Sequence, residues 1–473
     1  MTKRTKIVCT IGPRTESDEA IRALLDAGMD VARLNGSHNT LDWHAATIAR
    51  IRKIAPQVPI LLDIPGRKIR TTQLAHEPKF ALGAIIVLTT DTSHDGRSKV
   101  PVNYAGLHND LRPDNIILAD DGTLRFVVVK VEGQDIHCRA ETAGQLKSCK
   151  GINVPFVKLQ TAMVTARDRN MMKFALDNDV DFIGLSFVES AEHVKAIRKL
   201  VEGNRPRIVS KIENQGGLDH MDEIIAVTDA IMIDRGDLSV ETNLENLSLF
   251  QKRIIRAAQQ AAKPVIVATE MLHSMINSPV PTKAEVSDIS NAVIDGCSAT
   301  MLSGETAIGE FPVEAVRTMN RVATAAAGYL HGESGDGAAA AAVPQAVGEA
   351  IALMCRSLPI TKIVAVTRSG YAAREIASRR PRQPILAISD DIHAARSFNL
   401  LAGVDGIHVD VPFSRTSTDH IVKCLNILWQ RGKLLDDDMV LVTAVGYPRS
   451  GTRMNLLQTH VIGDLAEIFA WKK

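Results

Sequence analysis

Ile208-Val-Ser-Lys-Ile-Glu213 is a short apolar run that closes on a cation and an anion two residues apart. Side chains on a strand alternate between faces, so Lys211 and Glu213 project to the same side. At the mouth of a barrel such a pair supports chemistry: the ammonium offsets charge developing on a substrate, and the carboxylate ligates a hard metal. Taken alone, a Lys-x-Glu is more often a surface ion pair at a strand end, so its surroundings must decide.

Outward from this stretch the chain alternates β and α. Strands are expected over 6–10, 30–34, 59–63, 181–187, 208–213, 230–233, 265–268 and 299–302. Between them fall amphipathic helical segments. The clearest follows Ser17, where an N-cap, early acids and apolar residues at helical spacing run to a stop near Gly28. Eight strand-helix units predict an α/β TIM (β/α)8 barrel formed by residues 1–70 and 156–330, with 208–213 as its fifth strand. Over 71–155 the rhythm changes to short strands at 84–89, 115–118, 123–131 and 135–141, with turn signals at Asp120-Asp121-Gly122 and Glu132-Gly133-Gln134. An inserted all-β domain accounts for it. Residues 331–344, Gly-rich and then Ala-rich, read as a linker, and 345–473 as a second, smaller α/β domain.

Composition excludes several classes. The 473 residues carry 55 Lys and Arg against 54 Asp and Glu, a net charge of +1, so no strong field draws the protein to nucleic acid or a membrane. Hydrophobic residues at 45% and charged residues at 23% are those of a globular enzyme-sized protein. The six cysteines are scattered, without the spacing of a zinc site. No apolar leader follows Met1 and no window approaches a membrane span, so a cytoplasmic protein is expected.

Catalytic groups of such barrels sit at the C-terminal ends of the strands. Those ends carry Arg33, Asn35 and Ser37; Asp63 and Arg70; Ser186; Lys211 and Glu213; Arg235-Gly236-Asp237; Thr269; and Ser303-Gly304-Glu305-Thr306. Any one could be a satisfied loop residue, but polar groups converging from so many strands need partners or a function. Glu213 and Asp237 suit magnesium, which takes one or two protein carboxylates and leaves room for water and substrate oxygens. Arg33, Arg70 and Lys211 suit phosphate, and Gly236 allows close backbone approach to an anion. Phosphoryl transfer is the chemistry indicated. It is not built on a P-loop, a protein-kinase catalytic loop or a dinucleotide fingerprint, since none of those motifs occurs.

Six segments resemble signatures of the pyruvate kinase family: Ile208-Val-Ser-Lys-Ile-Glu-Asn214, Ile231-Met-Ile-Asp-Arg-Gly-Asp-Leu238, Met301-Leu-Ser-Gly-Glu-Thr-Ala307, Thr5-Lys-Ile-Val-Cys-Thr-Ile-Gly-Pro13, Val31-Ala-Arg-Leu-Asn35 and Pro281-Thr-Lys-Ala-Glu-Val-Ser-Asp288. The resemblance covers nearly the whole chain in order. It implies a catalytic barrel, a β lid after strand three and a C-terminal regulatory domain, assembled as a homotetramer. It also implies phosphoryl transfer from phosphoenolpyruvate to ADP, giving pyruvate and ATP. By the same resemblance Glu213 and Asp237 bind Mg2+ or Mn2+, Lys211 neutralises the phosphoryl group and the enolate, and Arg33 holds phosphate. Thr269 and the backbone at Gly236 and Asp237 orient the substrate carboxylate, and a water near Thr269, with Ser303 and Glu305, relays the proton. Asn35, His38, Arg70 and Lys150 lie toward the nucleotide, and Asp121 assists lid closure.

Where many members carry a glutamate after strand three, this chain has Lys68. In the family that acid accompanies a monovalent-cation site whose residues match Asn35, Ser37 and Asp63. Lys68 is therefore expected to act as an internal cation that removes the need for K+; the bland alternative is a solvated Arg67-Lys68 pair. Asp234 adds a carboxylate where alanine is common, with no direction assigned to it. The loop Thr367-Arg368-Ser369-Gly370, with Ser450-Gly451, resembles the sugar-phosphate loop of regulated members. Ala372, in place of a hydroxyl residue, points away from fructose bisphosphate and toward another phosphorylated sugar or a nucleotide, and a turn without ligand is the alternative. Two other functions compete with the main one: another magnesium-dependent phosphoenolpyruvate or oxoacid enzyme on the same barrel, and an inactive phosphosugar-sensing scaffold.

Overall fold

The computed structural model describes the chain except residues 1–2, 67, 121, 158, 161, 202–204, 330–342, 415–416, 446–453 and 473. Eight parallel strands close a barrel: β1 (Lys6–Thr10), β2 (Val31–Asn35), β3 (Ile60–Ile64), β4 (Phe182–Leu185), β5 (Arg207–Ile212), β6 (Ala230–Asp234), β7 (Val265–Ala268) and β8 (Ala299–Leu302). Each pairs with its sequence neighbours, and β8 closes on β1. Helices follow the strands, many opened by a side-chain cap. Ser17 accepts from the Ala20 N–H, and Thr165 and Asp168 form a reciprocal capping box on the helix Ala166–Asp177.

Strand alternation sorts the side chains. Ile208 and Ile212 of β5 pack outward with the helices, whereas Val209 belongs to the interior cluster with Val31, Leu61, Phe182, Met232 and Ile266. Counting on by two from these interior residues brings Arg33, Asp63, Ser186, Lys211, Glu213 and Asp234 to the top of the same apolar plug. Their convergence follows from strand parity.

The inserted sheet has seven strands in the order Ile69–Arg70, Gly151–Asn153, Ile116–Ala119, Leu124–Glu132, Asp135–Ala140, Ile85–Thr89, Val100–Pro101, over its own core around Phe126, Ile136 and Leu88. Its two outermost strands on one side are the connections to the barrel, too short to register as strands in sequence. The C-terminal sheet orders Val404–His408, Ile385–Ser389, Lys362–Val366, Met439–Ala444 and the antiparallel Leu456–Val461. Leu456–Val461 escapes a sequence reading because only Leu456 and Leu457, which are adjacent rather than alternating, pack against the core. The helix Asp419–Gln430 escapes as well, despite apolar residues at helical spacing. Most of the expected linker lies outside the described residues, and its last two residues instead open the helix Val343–Ser357, where proline is tolerated in the first turn. Among the described residues no helix is long and apolar enough to cross a membrane.

Candidate active site at the barrel mouth

Lys211 is the hub. Its ammonium, almost fully buried, lies 2.9 Å from Asp234 Oδ2, 3.0 Å from Glu213 Oε2 and 3.7 Å from Asp63 Oδ2, and donates to Ser186 Oγ at 3.2 Å. Burial alone would strip its charge, but Asp234, Asp63 and Glu213 outweigh burial and hold its pKa well above the ordinary lysine value. Asp234, whose direction the sequence left open, thus faces the site. Burial opposes its charge, and Lys211 overcomes that to bring it down to about 2. Glu213 is the reluctant anion: burial first, then the like charges of Asp234 and Asp237, push it up to about 8 against the pull of Lys211.

Glu213, Asp234 and Asp237 place carboxylate oxygens within 4.8 Å of one another. Glu213 Oε1 accepts the Phe187 N–H at 2.6 Å, while Oε2 is buried and makes no hydrogen bond among the described residues, its approach to Lys211 being ionic. Four carboxylates (Asp63, Glu213, Asp234, Asp237) face three cations (Arg33, Lys68, Lys211), and burial also raises Asp237. An all-oxygen cluster with more carboxylates than facing cations and an unsatisfied buried oxygen fits a hard divalent cation. The expected pair of ligands is therefore joined by a third carboxylate.

Arg33 is clamped to Asp63 at 2.6 and 3.2 Å and donates to Thr10 Oγ1 at 2.9 Å. Asn35 Oδ1 accepts the Ser37 N–H, and Asn35 lies opposite Asp63 in register. Among the described residues Lys68 makes no ion pair with Asp63. Its ammonium pairs with Asp237 Oδ1 at 2.5 Å and lies 5.9 Å from the centre of the Phe187 ring. Asp63 already has Arg33 and Lys211, so the stronger pull on Lys68 comes from Asp237, Glu213 and Asp234, which outweigh burial and raise its pKa. His38 lies near Arg70 and Arg33, and burial followed by those two cations lowers its pKa. Arg70 donates to Cys149 O, and Lys150 pairs with Asp120 at 2.7 Å within the inserted sheet's domain. Asp121 lies outside the described residues.

Thr269 has φ 66°, in a region costly for a β-branched residue. Its hydroxyl donates to Ala268 O and accepts the Gly236 N–H at 2.8 Å, so the amide expected to meet a carboxylate is already engaged. Glu305 is buried, and its two oxygens accept the Ser303 and Leu272 N–H groups at 2.7 and 3.1 Å. That carboxylate holds two loops together, whereas Ser303 Oγ is buried without a hydrogen-bond partner among the described residues. Two polar residues escaped sequence reasoning: Asn153 donates to Glu241 Oε1 at 2.6 Å, four residues after Asp237 on the helix Arg235–Glu241. That spacing was the available signal.

In the C-terminal domain Thr367 Oγ1 accepts the Gly370 N–H, and Arg374 donates to Ser369 O. Arg368 is bound to Asp390 at 3.1 and 2.5 Å, so an anion there competes with an existing pair. Ser450 and Gly451 lie outside the described residues.

Two family models match the chain: "Pyruvate kinase, barrel domain" over residues 2–316 and "Pyruvate kinase, alpha/beta domain" over 345–460. Among curated proteins the chain is similar to a pyruvate kinase of Bacillus licheniformis, 37% identical, and to one of Sporosarcina psychrophila, 39% identical. In each case 98% of this chain and 81% of the relative are covered. A Staphylococcus aureus pyruvate kinase is 37% identical over the same shares.

Proposed function

Because the chain belongs to the pyruvate kinase family, phosphotransferases of glycolysis, we propose that its barrel mouth moves the phosphoryl group of phosphoenolpyruvate to ADP. The observation that carries the reading is the buried Lys211 ammonium set among Asp63, Glu213 and Asp234, beside Asp237. In the reaction the bond between the substrate's C2 oxygen and phosphorus breaks. A new bond forms to a terminal oxygen of ADP, and the enolate takes a proton at C3 to become pyruvate.

Glu213 and Asp237, with Asp234 beside them, would hold Mg2+ or Mn2+, which when bound polarises phosphoryl oxygens. Lys211 neutralises the transferring group and then the enolate; its retained charge in a dry site makes that contribution large. Arg33 exchanges part of its Asp63 clamp for phosphate. Thr269 Oγ1 and the Gly236 N–H, bonded to each other, open to orient the carboxylate, and a water near Thr269 and Ser303 delivers the proton. Glu305 keeps Ser303 in place. Asn35, His38 and Arg70, with Lys150 from the lid, form the nucleotide side.

Lys68 brings a permanent positive charge to the same carboxylates, which supports activity without K+. Its route differs from the one sequence suggests, since the charge enters through Asp237. The reading extends to a cytoplasmic homotetramer, for which exposed Leu244 and Leu249 offer apolar surface, and to a phosphorylated effector at Thr367, Arg368, Ser369 and Gly370. A coupled assay with phosphoenolpyruvate, ADP and Mg2+ is expected to give pyruvate and ATP in equal amounts; phosphoenolpyruvate consumption without ADP would overturn the assignment. Replacing K+ by Na+ or a tetraalkylammonium ion is expected to leave the rate nearly unchanged, and strong activation by K+ would remove the role given to Lys68.

A further inference from the structure

The inserted domain joins the barrel through two strands, Ile69–Arg70 leaving and Gly151–Asn153 returning, paired antiparallel with Ile152 opposite Ile69 and Gly151 opposite Arg70. They approach closely, and a Cβ on Gly151 would sit 3.0 Å from Lys68 Cε. Each side of this ribbon makes one side-chain bond to the same short helix, Arg235–Glu241. On the outgoing side Lys68 Nζ meets Asp237 Oδ1 at 2.5 Å; on the returning side buried Asn153 Nδ2 donates to Glu241 Oε1 at 2.6 Å. Asp237 and Glu241 are four residues apart, stacked on one helix face. The inserted domain approaches the helix a third time at Gly122, where an added Cβ would lie 3.4 Å from Val240 Cγ2.

The two tethers do not respond alike to a cation at the carboxylates. A divalent ion sharing Asp237 repels the Lys68 ammonium and weakens that bond. Asn153 is neutral and Glu241 lies a turn away, so the second bond persists. From this asymmetry we infer that Glu241 is a positioning residue: through Asn153 it fixes the pivot on which the lid turns relative to the metal-bearing helix, while the Lys68–Asp237 bond is the latch released by the cation. The inference rests on the metal reading of Glu213 and Asp237.

Hydrogen exchange resolved along the chain tests the idea without any turnover. In the metal-free protein Glu241→Ala is expected to accelerate exchange of the amides at 151–153 by up to about ten-fold, the factor that losing one side-chain hydrogen bond brings. Glu241→Gln, which still accepts from Asn153, should remain near wild type. Amides of β5 and β7 serve as the control for an intact barrel, and Asn153→Ala should reproduce the Glu241→Ala result from the other side of the bond. Mn2+ added to wild type is expected to loosen 69–70 and leave 151–153 protected; in Glu241→Ala both strands should loosen. Equal exchange at 151–153 in wild type, Glu241→Ala and Asn153→Ala would overturn the pivot, as would Mn2+ loosening both strands of wild type together. If Mn2+ changes no amide while the metal-free differences stand, the metal reading fails and the pivot is supported.

Discussion

At the residue scale, the barrel mouth is a set of buried charges, most of which pair with one another. Lys211 keeps its proton because three carboxylates surround it, and Arg33 rests on Asp63. Lys211→Met removes the central cation and is expected to lower kcat by roughly 10²–10³-fold, the usual loss for one electrostatic donor in a dry site. Steady-state rates at saturating metal, with the thermal midpoint as a check on folding, measure it. Asp234→Asn deletes the carboxylate nearest Lys211 and one arm of the cation cluster. Mn2+ affinity, read by titration calorimetry, is expected to fall about 10–100-fold, the range for groups that orient or tune metal ligands. A second effect separates this from simple loss of structure: with one like charge gone, Glu213 should titrate closer to an ordinary carboxylate.

At the element scale, short pieces carry much of the site. The helix Arg235–Glu241 holds Asp237 and Glu241, and Gly304–Ala307 holds Glu305. Neither announces itself by periodicity, because a helix of one or two turns has too few residues for a face. Longer helices depend on caps that sequence does announce. Thr165→Ala removes the reciprocal capping box before Ala166–Asp177 and is expected to cost about 1 kcal/mol in denaturant unfolding. In the C-terminal sheet Lys362 lies 2.5 Å from Asp438, whose carboxylate also accepts from Thr361 and the Leu435 N–H. Burial alone would raise the Asp438 pKa, yet these partners lower it below the ordinary value. A depressed folded pKa gives stability that is present above the unfolded pKa and lost as pH falls through the folded one. Asp438→Asn should therefore be less stable than wild type near pH 7, and the gap in urea midpoint should close as acid protonates Asp438.

At the scale of the whole molecule, the C-terminal domain is wired to the base of the barrel. Arg396 meets Asp179 at 2.7 Å and Asp181 at 3.8 Å, Arg52 holds Asp181 at 2.6 Å, and His393 lies 2.9 Å from Asp179. Asp181 is buried and also accepts the Ile60 N–H that starts β3, so a charge from one domain helps seat a strand of the other. Arg396→Ala is expected to destabilise the protein by about 1–3 kcal/mol, as for loss of a charged hydrogen bond, and the test is whether barrel and C-terminal domain then unfold in separate calorimetric transitions. The α/β rhythm, the eight-strand count and the residues at the strand ends are legible in the chain, because strand alternation and helix caps are local properties. So are the segments that resemble a known family. Which charges meet is set by the folded barrel. Lys68 lies on Asp237 rather than beside Asp63, Asp234 turns toward Lys211, and Asn153 reaches Glu241, 88 residues away in the chain. Ion pairs form by distance and competition among partners in a shared low-dielectric space, and those are fixed only when the barrel closes and brings the ends of its strands together.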